Sequence, residues 1–200
     1  MALQSHFSDS YTIEAGCDEA GRGCLAGPLF AAAVILPFDY FNEQLNDSKQ
    51  LSCTQRETLR EIIMKDAIAY SVVSISEVVI DEINILNASF RGMNSAVKEL
   101  NIKPELLLID GNRFKNETEF PFHCIVQGDA QYMSIAAASI LAKTFRDDLM
   151  KQLDVEFPVY GWKHNKGYPT SAHKEALLQY GRSPYHRKTF QVKGQLKLAF

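Results

Sequence analysis

The chain has few of the residues that would commit it to a special class. It has four cysteines in 200 residues, Cys17, Cys24, Cys53 and Cys124, and none forms a C-x-x-C pair. A closed zinc site is therefore not expected, and scattered thiols suit a reducing compartment. With 11 glycines and 7 prolines, collagen-like and low-complexity readings fail. No long hydrophobic run is present. The longest, Cys24 to Leu36, is too short to span a bilayer and contains Gly27 and Pro28. Met1 to Ser10 has neither a basic start nor an apolar centre, so no signal peptide is expected and a cytoplasmic location is. No internal repeat and no Gly/Ser/Pro linker is visible, so residues 1–200 are expected to form one domain. A strong basic excess is missing too, since net charge is −3. What remains is 46% apolar and 22% charged, which excludes disorder as the main state.

The modest net charge hides an asymmetry. Residues 1–142 hold 10 Lys and Arg against 19 Asp and Glu, while residues 143–200 hold 11 against 5. Solvated helix faces would explain this blandly. An acidic metal centre beside a basic surface for a polyanion would explain it functionally.

Hydrophobic patterning outlines the elements. Tyr11–Cys17 reads as a strand ending at Asp18-Glu19, followed by a Gly-rich turn and a second strand, Pro28–Leu36. Ser52 caps a helix through Ala67, and Ala69–Ile75 is a third strand. Ser76 opens a short helix and Asn87–Leu100 a longer one. Glu105–Ile109 is a buried strand ending at Asp110, and Phe122–Val126 another ending near Asp129. Ala130–Phe157 is a helix with a buried first half, and Thr170–Tyr180 a last helix stopped by Gly181. Three early strands followed by alternating helices and strands point to an α/β layered fold with a mixed sheet.

The acids fall at strand ends, where sites in such sheets form. Asp18, Glu19 and Asp110 close together would repel one another unless a hard divalent cation offset them. For Asp129, capping the helix at Ala130 competes with a ligand role. Gly21-Arg22-Gly23 with Ala26 also matches a dinucleotide fingerprint, but Pro28 and a strand follow where a helix should open. The glycines serve better to let backbone approach a sugar edge, with Arg22 reaching a phosphate. Cys17 and Ser139 have no obvious base partner, so a covalent nucleophile is the weaker reading.

The string from Gly16 to Pro28, GCDEAGRGCLAGP, resembles the signature of bacterial type 2 ribonucleases H, the ribonuclease HII family. Further segments agree in order: Asn46–Ser52, with Gln50 where a second Lys usually stands; Leu108–Gly111; Gly128-Asp129 and Ser134–Lys143, with Gln127 in place of a usual Lys; His164–Tyr168; and Ser183–Arg187. The resemblance covers about residues 11–190. It implies a ribonuclease H-like fold, a mixed central sheet flanked by helices with a helical C-terminal segment. It implies an endonuclease that cuts the RNA strand of RNA–DNA hybrids and incises 5′ of single ribonucleotides in duplex DNA, leaving 3′-hydroxyl and 5′-phosphate ends. Carried over by position, Asp18, Glu19, Asp110 and Asp129 would hold Mg²⁺ or Mn²⁺. Asp18 and Asp110 would touch both ions, with Glu19 and Asp129 one on each side. Gly21, Arg22 and Gly23 would sense the 2′-hydroxyl, and Tyr168 would stack on the deoxyribose 3′ of it.

Lys49, Ser139, Lys143 and Arg146 are candidate phosphate contacts, although salt bridges to Asp147 or Asp148 compete for Lys143 and Arg146. The histidines of the basic third read as mostly solvated. The last six residues, with Gln195, Leu196, Leu198 and Phe200, look like the hexapeptide by which bacterial repair proteins dock on the sliding clamp, against a terminal strand covering the chain's own core. A monomer is expected. Rival functions are another nuclease of the same fold, a nucleic-acid binder without catalysis and, remotely, a dinucleotide-dependent oxidoreductase.

Overall fold

A computed structural model describes residues 3–45 and 51–191. Five strands form one sheet in the order β3-β2-β1-β4-β5. Strands β1 (Glu14–Ala20), β2 (Leu29–Ile35) and β3 (Ala69–Ile75) are antiparallel neighbours, whereas β4 (Leu106–Asp110) and β5 (Phe122–Ile125) run parallel to β1. The sheet is therefore mixed, as the order of elements predicted.

The first strand lies further along the chain than expected. Thr12 and Ile13 give their N–H groups to the Glu105 carboxylate instead of a strand ladder. At the other end Asp18 and Glu19 pair with Ala32 and Ala31 of β2, so they belong to the strand.

Helix α1 (Cys53–Asp66) starts at Ser52, whose hydroxyl accepts from the Gln55 N–H while the Gln55 side chain accepts from the Ser52 N–H. This capping box satisfies two amides that a helix start otherwise leaves open. Helix α2 (Glu77–Glu99) breaks at Asn84, which has φ 65°. Its side-chain oxygen accepts from Leu86 and Asn87, so the second segment is capped from within. That break separates the two helices expected there.

Helix α3 (Met133–Glu156) begins three residues later than predicted, after a 3₁₀ turn at Gly128–Ala130. Alternation in the strands sends Ala15 and Cys17 toward α2, in a core with Ala31, Ala33, Ile109 and Met93. The opposite face, through Ala32 and Val34, packs on the Ala136–Ala138 run of α3 and on α1. The small residues allow close contact: a Cβ on Gly16 would lie 2.2 Å from the Ser134 carbonyl carbon.

The C-terminal part adds α4 (Trp162–Asn165) and α5 (Ser171–Tyr180), capped by Thr170 and closed at Gly181 with φ 74°. Both pack through Trp162, Ala176 and Leu177 onto Met150 and Leu153 of α3. The four cysteines are free thiols. Among the described residues no helix is long and apolar enough to cross a membrane.

Candidate active site

Strand register builds the acidic centre. Cys17 of β1 lies beside Ile109 of β4, which sets Asp18 next to Asp110 across a parallel pair. Alternation turns Asp18 toward α3, where the Ser139 hydroxyl bonds its carboxylate, and Asp18 also accepts from the Glu19 N–H at 2.7 Å. Glu19 points to the other face, beside Ser89 of α2, and takes the Arg22 guanidinium at 3.2 Å. Asp110 accepts from the Gly128 N–H at 2.8 Å. That bond pins the turn carrying the buried Asp129 to the end of β4.

Charge repulsion is evident. Burial first, then the charges of Glu19 and Asp110, push the Asp18 carboxyl well above its ordinary range. Burial also raises Glu19, with Arg22 opposing and Asp110 adding to the rise. An all-oxygen, mutually repelling donor set, buried at Asp18 and Asp129 and half-buried at Glu19 and Asp110, fits a hard divalent cation such as Mg²⁺ or Mn²⁺. Among the described residues no three His, Cys, Asp or Glu side chains stand as a ready-made cage. Glu19 takes the Arg22 guanidinium and Asp110 the Gly128 N–H through one carboxylate oxygen each. Asp129 does not cap α3. The cap position is Tyr132, and no side chain caps there.

Beside the acids runs the loop from Gly21 to Pro28. Gly21 has φ 102°, and a Cβ on it would sit 2.2 Å from Arg146 Nε, so only glycine fits. Arg22 and Gly23 are exposed. A Cβ on Gly23 would lie 3.9 Å from the Tyr168 ring, so the loop and Tyr168 form one surface. A cleft of about 320 Å³ opens on the α2 side, lined by Glu19, Arg22, Ser89, Asp110, Asn112 and Arg113 among others.

Residues 15–194 match the family model described as Ribonuclease HII. The chain belongs to the ribonuclease HII family. It is similar to the Ribonuclease HII of Bacteroides fragilis, 60% identical over 188 residues that cover 93% of this chain and 94% of that one. Among solved structures it resembles the ribonuclease H2 of Pyrococcus horikoshii, with TM-score 0.75, 28% identity, and coverage of 90% of this chain and 94% of the other. It also resembles the Archaeoglobus fulgidus RNase HII solved in a complex with PCNA, with TM-score 0.73, 27% identity, and coverage of 92% and 98%. Membership makes the chain a ribonuclease H hydrolase with a ribonuclease H-like fold.

Several phosphate-contact expectations change. Arg146 is fully buried and donates to the carbonyls of Pro28, Ala26 and Lys166, so it faces no solvent phosphate and makes no salt bridge to Asp147 or Asp148. Ser139 lies under Asp18, 5% exposed. Lys143 pairs with Asp147, one turn on. Lys49 and the tail residues Gln195, Leu196, Leu198 and Phe200 lie outside the described residues.

Two histidines expected at the surface are interior. His173 donates from Nδ1 to the Tyr168 carbonyl, while its Nε2 accepts from Trp162 Nε1–H and lies 3.1 Å from His186 Nε2. His186 Nδ1 accepts from the Ser183 N–H. Burial lowers both, His186 to about 3, so the pair is neutral. Sequence reasoning also missed Arg187, fully buried, which burial pushes down to about 10. Ser89, Asn112 and Arg113 were missed as well. The one signal was position, since the two residues after Gly111 follow the acid that ends β4.

Proposed function

We propose that the chain incises 5′ of single ribonucleotides in duplex DNA, leaving 3′-hydroxyl and 5′-phosphate ends, besides acting on RNA–DNA hybrids as an endonuclease of its family. The observation that carries the reading is the set of mutually repelling carboxylates Asp18, buried, and Glu19 and Asp110, half-buried, beside the exposed Arg22-Gly23 backbone and Tyr168. A pure binder of polyanions gains nothing from such concentrated negative charge.

In this proposal Asp18, Glu19, Asp110 and Asp129 hold Mg²⁺ or Mn²⁺. When bound, divalent ions supply the Lewis acidity that an in-line phosphodiester displacement needs. Asp18 and Asp110, neighbours on parallel strands, would hold the ions together with Glu19 and Asp129. Ser139 and the Glu19 N–H orient Asp18, and the Gly128 N–H orients Asp110. The Gly21-Arg22-Gly23 backbone senses the 2′-hydroxyl, and Tyr168 stacks on the next deoxyribose.

The exposed cations of the basic part, residues 143–200, such as Lys163 and Lys188, grip backbone phosphates, so affinity falls steeply with salt. The tail with Gln195, Leu196, Leu198 and Phe200 docks on a sliding clamp, a reading supported by the Archaeoglobus relative solved with PCNA. The chain acts as a cytoplasmic, one-domain monomer.

The test is cleavage of three matched duplexes, an RNA–DNA hybrid, a DNA with one ribonucleotide and an all-DNA control, each with Mg²⁺ and with Mn²⁺. The first two are cut and the control is not. Cutting of the hybrid without incision at the single ribonucleotide would overturn the finer reading.

A further inference from the structure

Arg146 and Arg187 are both fully buried, and each spends its guanidinium on backbone carbonyls. Arg146 takes Ala26, Pro28 and Lys166. Arg187 takes Gly21 at 2.7 Å, Arg22 at 3.0 Å, and Gly27 through both Nε and Nη2. Five carbonyls of the loop between β1 and β2 thus face inward on two cations more than a hundred residues away in sequence. Charge-assisted bonds of this kind are stronger than neutral ones, and a planar fork fixes direction as well as distance.

The consequence follows from the planar trans peptide. Carbonyl and N–H of one peptide point opposite ways. Drawing the Gly21 carbonyl inward turns the Arg22 N–H outward. Drawing the Arg22 carbonyl inward does the same for the Gly23 N–H. Both residues are exposed, and among the described residues neither N–H has a partner. Two successive outward amides form a small concave donor site for an oxygen acceptor. It stands beside Glu19, which Arg22 reaches, and against the Tyr168 ring.

We propose that Arg187 is a positioning residue for substrate selection, holding the Gly21–Arg22 and Arg22–Gly23 peptides so that the N–H groups of Arg22 and Gly23 together meet the 2′-oxygen of a ribonucleotide. This rests on the reading above that the Gly21–Gly23 backbone senses that hydroxyl, and it adds what aims the backbone. Arg187 touches no substrate. Its effect is read as discrimination between substrates that differ by one oxygen.

The test uses the full chain and two duplexes identical except for one 2′-hydroxyl. Binding is measured by fluorescence anisotropy in EDTA, so that no cleavage intervenes. Arg187→Lys keeps the charge but puts a single nitrogen where the planar fork reaches three carbonyls through Nε, Nη1 and Nη2. Its preference for the ribonucleotide duplex is expected to fall about tenfold relative to the unmodified chain, the weight of a hydrogen bond or two. A folded Arg187→Lys with undiminished preference overturns the role of Arg187 while the 2′-hydroxyl reading stands. An unmodified chain with no preference overturns both. An equal loss of affinity for both duplexes would mean that the loop reads phosphate and also overturns it. Should Arg187→Lys fail to fold, amide NMR of the unmodified chain decides. The Arg22 and Gly23 amides are expected to shift with the ribonucleotide duplex and not with all-DNA, and no selective shift overturns the proposal.

Discussion

Replacing Gly16 by alanine tests how tightly the acidic centre is built. Gly16 sits in the middle of β1, paired with Val34 and Leu108. A methyl carbon there would lie 2.2 Å from the Ser134 carbonyl carbon, 2.3 Å from the Ile135 nitrogen and 2.5 Å from the Ser134 oxygen. Normal contact begins near 3.5 Å, so the first turn of α3 must lift by about 1.3 Å. The obstacle is backbone on both sides, and no rotamer relieves it. Overpacking of this kind costs about 3 kcal/mol, the upper end of the usual range. For a chain of this size that lowers Tm by roughly 6–12 °C, measured by calorimetry or circular dichroism. The same lift draws Ser139 away from Asp18, so cleavage at 25 °C falls even where the variant is fully folded. A Gly16→Ala protein with Tm within about 1 °C of the parent and unchanged cleavage would refute this packing argument.

Three further outcomes follow from the same geometry. Tyr168→Ala, which removes the ring beside Gly23, is expected to reduce incision at a single ribonucleotide, and unchanged incision there would reject its role. His173 and His186 are neutral in the fold because burial holds them below 6.5, so the unfolded chain takes up protons first as pH falls. Their contribution to stability is therefore complete above 6.5 and is lost from there down to about 3, and His186→Gln should flatten the plot of Tm against pH in that window. Asp18 behaves with the opposite sign: its carboxyl is raised above 3.8 in the fold, so its ionisation destabilises the metal-free protein as pH rises past that value. Asp18→Asn should abolish cleavage yet raise Tm at neutral pH in EDTA, with the gap closing in acid. A lower Tm at every pH would contradict that.

Much of the frame was legible because its signals are local. Ser52, Ser76 and Thr170 announce helices through their own hydroxyls. Asp110 stands out because it ends a run of leucine and isoleucine that has no place but the interior. What stayed hidden depends on partners distant in sequence. Tyr11–Ile13 look like strand until the Ser8 carbonyl takes the Tyr11 amide and Glu105 those of Thr12 and Ile13. Arg146 and Arg187 read as surface charge, since only the folded loop supplies the carbonyls that let them be buried. His173 and His186 are interior because each completes the other's hydrogen bonding with Trp162, Tyr168 and Ser183. Asp129 was ambiguous between cap and ligand. The late start of α3 removes the first reading.

The central claim is that carboxylates from β1 and β4 jointly hold a divalent ion. Calorimetric titration of Mn²⁺ into the parent chain and into Asp110→Asn, both checked for folding by circular dichroism, tests it most directly. The account predicts measurable binding to the parent and its loss or severe weakening in the variant, along with cleavage. Binding of Mn²⁺ by a folded Asp110→Asn chain with the parent's affinity and stoichiometry would contradict it.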